Sequence, residues 1–291
     1  MPAYSTLLSG SQLNRPHAWN ARFFSLDRMQ VPVCRLGLAT RGNTHLTRED
    51  VLLALDRGLN YWNWCGHQDG MAEAIGELGS QRKRVVIAAQ LWARDEQGVR
   101  MELQQVLDRL KIDCLDVATH YYVERLEEWR QIAGPGGALQ GLRKAQERGL
   151  VGAIGLTTHQ RELALRILRE RRLDLLMIRY NAAHRGAEGR IFPEAADLRI
   201  PLVAFTALRW CDLLKPTPQD APEFTPPLVR DWYRFVLAHP SVSIALAAPG
   251  NRSELQHTLG LLDDWRPPTA GELQSMRAHG DRVHRHARAF V

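Results

Sequence analysis

The sequence predicts a (β/α)8 barrel. Short apolar, β-branched runs alternate with longer segments of helical period from residue 33 to the C-terminus, and eight such runs fit the span of one barrel. A doubly wound sheet would normally carry a G-x-G-x-x-G turn after its first strand, whereas Leu36-Gly37-Leu38-Ala39-Thr40 stands there.

Taken in order, residues 1–21 read as an N-terminal extension to a single domain covering 1–291. Segments 22–26 and 31–33 flank a polar turn and predict a β-hairpin that closes the N-terminal end of the barrel. The strands are expected at 33–40, 60–64, 84–91, 114–121, 151–158, 173–180, 201–208 and 243–248. Amphipathic segments lie between them, among them 48–57, 99–111, 137–148 and 161–172, and Gly58 and Gly149 are placed to end helices in the left-handed conformation. After the last strand, 253–263 and 271–290 read as two extra helices, the first opened by a capping box of Ser253 and Gln256. Segment 215–227, rich in Pro, Asp and Thr, reads as an exposed loop over the barrel mouth.

The 45% hydrophobic and 24% charged content of 291 residues supports a large core. A net charge of +6 and a pI near 9.4 would permit an anionic partner, but the arginines are spread through helices without a long run, which describes a solvated basic surface and no nucleic-acid site. Cys34, Cys65, Cys114 and Cys211 show no CxxC spacing and suit a reducing compartment. With no apolar run of about 20 residues and no basic-then-apolar leader, the expectation is a cytoplasmic protein without a membrane partner, acting on a small molecule as a monomer or small homo-oligomer.

The most informative stretch runs from Gly58-Leu59-Asn60-Tyr61-Trp62-Asn63-Trp64 into Cys65-Gly66-His67-Gln68-Asp69-Gly70. It resembles the second strand and loop of the aldo-keto reductases, roughly Gly-Ile-x-x-Phe-Asp-Thr-Ala-x-x-Tyr-Gly. Further blocks match in order: 35–40, 85–90, 107–116, 149–157, Tyr180-Asn181, and Ala204-Phe205-Thr206-Ala207-Leu208. The resemblance implies reduction of a carbonyl, or oxidation of an alcohol, with a nicotinamide cofactor. In that family a Tyr gives the proton, helped by a Lys buried against an Asp and by a His that polarises the carbonyl. The counterparts here are Asn63 for the Asp, His67 or Gln68 for the Tyr, Gln90 for the Lys and His120 for the His. Asn63 and Gln90 replace a charged pair by two neutral amides able to bond each other. The reading is therefore an altered site with His120 polarising and His67 as substitute proton donor, because Gln68 cannot donate a proton. The alternative is a degenerate barrel that binds a small molecule or nucleotide, or a non-redox lyase or hydrolase.

The same resemblance implies NADP(H) as cofactor. The family's Ser-Asn falls on Thr157-Thr158, its sixth-strand Gln on Met177, and its stacking aromatic on Phe205, next to Thr206 and Leu208. Gly250, Asn251, Arg252 and Ser253 open the penultimate helix as a phosphate cradle, although Glu254 and Thr258 stand where an Arg and an Asn would help. His67, His120, His159 and His184 collect with Cys65 and Cys211 at strand ends but lack ligand spacing, so no metal is expected. His159 and His184 read as solvent-facing loop residues. Trp64, Trp92 and Trp210 are candidates for an apolar substrate wall, with Tyr121 nearby. Arg179 with Arg185 is placed either to clamp an anion or to order its loop through Glu188 or Asp116.

Overall fold

The computed structural model describes residues 21–286. The chain opens with a hairpin of β1 (Phe23–Phe24) and β2 (Val33–Cys34), paired antiparallel. There follow β3 (Leu36–Ala39), α1 (Arg48–Asp56), β4 (Tyr61–Trp64), α2 (Gly70–Gly76), β5 (Val86–Leu91), α3 (Glu96–Leu110), β6 (Leu115–His120), α4 (Leu126–Ala133) and α5 (Ala138–Glu147). The second half contains β7 (Val151–Thr158), α6 (Arg161–Arg169), β8 (Leu175–Arg179), α7 (Ile191–Leu198), β9 (Leu202–Phe205), α8 (Val229–Ala238), β10 (Val242–Ala247), α9 (Arg252–Asp263) and α10 (Ala270–His286). Strands β3 to β10 pair in parallel, each with the next, and β10 returns to β3 to close an eight-stranded barrel.

Alternation along each strand divides the core in two. Tyr61, Val86, Ala88, Val117, Ala153, Leu175, Met177, Val203 and Ile244 fill the inside, while Trp62, Trp64, Ile87, Ala118, Ile154, Leu176 and Ala245 face the helices. The hairpin is the expected plug, with Phe24, Leu26 and Val33 joining the inner cluster. Asn60 fixes it there. Its Oδ1 accepts from Cys34 N at 2.8 Å, and its Nδ2 donates to the carbonyls of Pro32 at 2.8 Å and Arg84 at 3.2 Å.

The expected strand 33–40 is divided at Arg35. Its side chain is fully buried and Nη2 donates to the carbonyls of Leu237 at 2.9 Å and Val242 at 3.0 Å, so the chain leaves the hairpin and enters the barrel at that residue. Gly58 and Gly149 do carry positive φ, +97° and +73°. The capping box of the penultimate helix is corrected: Asn251 caps it, accepting from Glu254 N at 3.0 Å, and Glu254 reaches back to Gly250 N at 2.7 Å. Segment 215–227 has neither helix nor strand, as expected. Residues 1–20, most of the expected extension, and residues 287–290 of the expected final helix, with Val291, lie outside the described residues.

Candidate active site

A cavity of about 970 Å³ opens at the C-terminal ends of the barrel strands, where barrel enzymes build their sites. Its floor and walls are the inward positions of successive strands: Ala39, Asn63, Gln90, Thr157, Met177, Arg179 and Phe205. Loops add Arg41, Tyr121, Tyr122, Glu124, His159, His184, Thr206, Leu208 and Trp210, and α6, α9 and α10 add Arg161, Glu254 and His284.

Alternation also explains which expected residues are elsewhere. Val117 faces inward and Ala118 outward, so His120 follows Ala118 to the outside. It is fully buried behind the strand, both ring nitrogens lack a hydrogen-bond partner, and burial pushes its pKa down to about 3. Tyr121, one residue on, is the group β6 delivers to the cavity. By the same parity Thr158 turns away, and its hydroxyl accepts from Gln160 N at 3.0 Å. Trp64 lies outside the barrel wall with Arg109 over its ring at 5.8 Å. Its Nε1 donates to His67 O at 2.7 Å, which draws the loop away from the mouth. His67 and Gln68 are accordingly exposed and do not line the cavity.

Asn63 and Gln90 do share the cavity, yet no hydrogen bond joins them. Asn63 is buried and its Oδ1 accepts from no described group. The lysines Lys83, Lys111, Lys144 and Lys215 all lie off the cavity. Trp92 is more than half exposed and reaches the site only through edge contact with Tyr121, at 4.7 Å between ring centres. From there an aromatic wall continues through Tyr122 and His159 to Phe205, with centre distances of 5.7, 5.1 and 5.2 Å.

His159 is not a solvent-facing loop residue. Its Nδ1 lies 3.0 Å from Glu124 Oε1, its backbone N–H donates to the same oxygen at 2.8 Å, and Gln160 Nε2 donates to the other oxygen at 3.0 Å. Side-chain exposures of 20% and 19% keep the pair in the wall. His184 belongs to the cavity too. Asn181 Oδ1 accepts from the backbone of Ala183 and His184, both at 3.0 Å, and Arg209 Nε donates to His184 Nε2 at 3.1 Å. Burial first, then Arg179 and Arg209, hold the His184 pKa down near 3, so the ring stays neutral and accepts. Arg209, Trp210 and Cys211 carry φ of +48°, +49° and +68°, three left-handed non-glycine residues in succession at the mouth.

The intended phosphate cradle is largely occupied by the protein itself. None of Gly250, Asn251, Arg252 and Ser253 lines the cavity, Glu254 takes the Gly250 N–H, and Arg252 Nη1 meets the buried carboxylate of Asp50 at 3.1 Å. No group of three or more potential metal ligands occurs among the described residues.

The description "Aldo/keto reductase family" fits residues 36–224, well over half of the chain. This chain belongs to that family. It is 30% identical over 115 residues to a D-threo-aldose 1-dehydrogenase of a Pseudomonas species, covering 39% of this chain and 34% of that one. It is 26% identical over 151 residues to an aldo-keto reductase of Mycobacterium avium (strain 104), half of each. The match thus spans half or less of the length of these relatives. The holo form of the aldo-keto reductase AKR11C1 from Bacillus halodurans superimposes with a TM-score of 0.72 over 89% of this chain and 96% of that one, at 16% identity, a likeness of fold. No helix among the described residues of this aldo/keto reductase family member is long and apolar enough to cross a membrane.

Arg41, Glu124, Arg161 and His284 were not singled out as site residues by the sequence. Glu124 and His159 each stand just beyond a strand's C-terminal end, a positional signal, but their pairing spans 35 residues and no local motif contains both.

Proposed function

We propose that the protein is a nicotinamide-dependent oxidoreductase of small carbonyl compounds or alcohols in which His159, held by Glu124, moves the proton. The Glu124–His159 pair beside Phe205 carries this reading. Nδ1 faces the carboxylate, so the ring is oriented, leaving Nε2 as the nitrogen that exchanges a proton with a bound molecule. His120 lies behind the strand and His67 is exposed, so neither has that position.

The cavity residues fit the nicotinamide end of such a cofactor. Asn63 and Thr157 supply an amide and a hydroxyl on the floor, and Phe205 with Met177 supplies an apolar face. When bound, the nicotinamide donates or accepts hydride. The protein's part is to seat the ring on Phe205, to hold the reacting oxygen near Tyr121 and His159, and to move the proton through His159. Tyr121 is a poorer donor, because burial, with Tyr122 and other negative or ionisable neighbours, raises its pKa further above neutrality.

The phosphate end argues for NAD(H) over the NADP(H) suggested by the family resemblance. A ribose phosphate brought to the start of α9 meets Glu254, a like charge worth between about 1 and 4 kcal/mol at 4 Å, depending on screening. The hydroxyls of an unphosphorylated ribose instead find an acceptor in that carboxylate.

Titration of the protein with NADH and NADPH, read by tryptophan fluorescence, with steady-state assays over aldehydes, ketones and alcohols, tests the proposal. Binding of NADH with turnover supports it. Absence of binding at millimolar concentration of either cofactor would overturn it and favour a non-redox or binding role.

A further inference from the structure

The loop that carries Tyr121 and Glu124 is held by two side chains that do not line the cavity, Arg94 and Glu128. Parallel pairing sets Leu91 beside His120, so the residues after β5 run alongside those after β6. Arg94, only 16% exposed in its side chain, reaches across that gap. Its Nη1 donates to the carbonyl of Trp92 at 2.8 Å, and Nη2 donates to those of Tyr121 at 2.9 Å and Tyr122 at 3.3 Å. The stretch of chain around Arg94 is itself pinned. Glu102 accepts from the N–H groups of Trp92 and Ala93, at 2.9 and 2.8 Å, and the carbonyl of Arg94 accepts from Ala138 N at 3.1 Å.

Glu128, in the first turn of α4, holds the other end of the same segment. Its Oε2 accepts from the backbone N–H groups of Glu124 and Arg125, both at 3.0 Å, and its Oε1 lies 3.9 Å from Arg94 Nη2. Between the two, Tyr121 N donates to Leu91 O at 2.9 Å, Val123 N donates to Thr157 O at 3.0 Å, and Tyr122 carries a φ of +55°. A residue other than glycine keeps that conformation only where its surroundings over-determine it. Among the described residues, Arg82, Arg185 and Arg277 each meet a carboxylate at 3.0 Å or less, of Asp116, Asp281 and Glu188, whereas Arg94 comes no nearer than 3.9 Å to one and directs its donors to carbonyls. A rigid guanidinium fork set on three carbonyls fixes the path of the backbone that bears them.

We propose that Arg94 and Glu128 are positioning residues, which together hold segment 121–125 in the conformation that presents Glu124 to His159 and turns Tyr121 into the cavity. Their effect passes through the Glu124 backbone to its carboxylate, and from there to the Nδ1–H tautomer of His159. The inference rests on His159 moving the proton in the proposed oxidoreductase, and the experiment reads the placement of the pair separately from turnover.

Nitrogen chemical shifts of protein labelled in its histidines, in alkaline buffer where an ordinary imidazole is neutral, report which ring nitrogen of His159 carries the proton. His159→Gln assigns the signals, and Glu124→Ala gives the signature of a lost partner. The wild type and Arg130→Gln, a control on the exposed face of α4, should hold the proton on Nδ1. Arg94→Gln and Glu128→Ala should move it toward the Glu124→Ala signature, as should Arg94→Lys, which keeps the charge without the fork. Glu128→Gln, which keeps an acceptor oxygen, should stay near the wild type. In assays with NADH, Arg94→Gln and Glu128→Ala should lower kcat about 10- to 100-fold while the Kd of NADH holds. Added to Glu124→Ala, either should lower it by less than about 2-fold further, because both act through that carboxylate. Should both fail to fold, Arg94→Lys and Glu128→Asp give the same reading. A proton on Nε2 in the wild type, an unmoved His159 signature in the folded variants, or kcat losses that multiply with that of Glu124→Ala would overturn the inference. Wild-type turnover in His159→Ala beside a shifted tautomer in Arg94→Gln would keep the clamp and refute the proton-transfer reading.

Discussion

Nδ1 of His159 lies 3.0 Å from Oε1 of Glu124, and the His159 backbone N–H donates to that same oxygen at 2.8 Å. One carboxylate therefore fixes both the backbone and the ring of the residue after β7. Three donors converge on Glu124 when Gln160 is included, which holds the side chain against rotation. The arrangement selects the tautomer with its free lone pair on Nε2.

If His159 moves the proton, His159→Ala should lower kcat by about 10² to 10⁴ while NADH affinity holds. Glu124→Gln should have a smaller effect in the same direction. Steady-state kinetics with a fluorescence titration check this, and wild-type kcat in His159→Ala would refute the role.

NADH should bind more tightly than NADPH. Replacing the carboxylate in Glu254→Gln should narrow the preference by about 5- to 100-fold, from removal of roughly 1 to 3 kcal/mol of repulsion and lost ribose contact. Calorimetric titration of both cofactors with both proteins reads the change. An NADPH preference in the wild type would sink the assignment of Glu254.

Acid should destabilise the protein through His120. Its folded pKa, near 3, lies below the ordinary value of 6.5, so the unfolded chain binds the extra proton and stability falls as pH drops through that interval. At pH 5 the loss is about 2 kcal/mol from this residue. His120→Leu, which also removes two unpartnered buried nitrogens, should flatten the pH dependence of the melting temperature between 7 and 5 and leave catalysis intact. An unchanged acid slope would show that His120 does not titrate as described, and loss of turnover in a folded variant would restore it to the mechanism.

Arg234 should be a stability determinant. It is almost fully buried in α8, with Nη1 on Asp231 at 2.6 Å and Nη2 on the Asp264 carbonyl at 2.6 Å and carboxylate at 2.5 Å, so it ties α8 to the end of α9. Arg234→Ala should cost about 3 kcal/mol, read from urea denaturation, because it strips its partners and leaves a cavity. A cost below about 1 kcal/mol would place the pair with ordinary surface bridges.

The barrel was legible in the sequence because period and burial are local: the runs at 151–158 and 243–248 coincide with β7 and β10 to within a residue. The plug was legible for the same reason, its apolar residues flanking a polar turn. Less local features were missed. Arg35 ends one strand and starts another through carbonyls more than 200 residues away, and Asn251 takes the cap expected of Ser253 because Glu254 can fold back to Gly250.

The sequence by itself determined which chemical groups exist and that strand ends bring them to one face; it put Asn63, Gln90, Thr157, Phe205 and Arg179 on the cavity where β-alternation is strict. The tertiary structure decided the rest. A shift of one residue in parity exchanges inside for outside, which sends His120 behind the wall and Tyr121 into the cavity, and only the parallel pairing of neighbouring strands brings Glu124 to His159, Arg161 to Gly186 and Arg209 to His184. Those contacts join groups that are 35, 25 and 25 residues apart, and a hydrogen bond or a steric slot depends on distances in space that no spacing along the chain specifies.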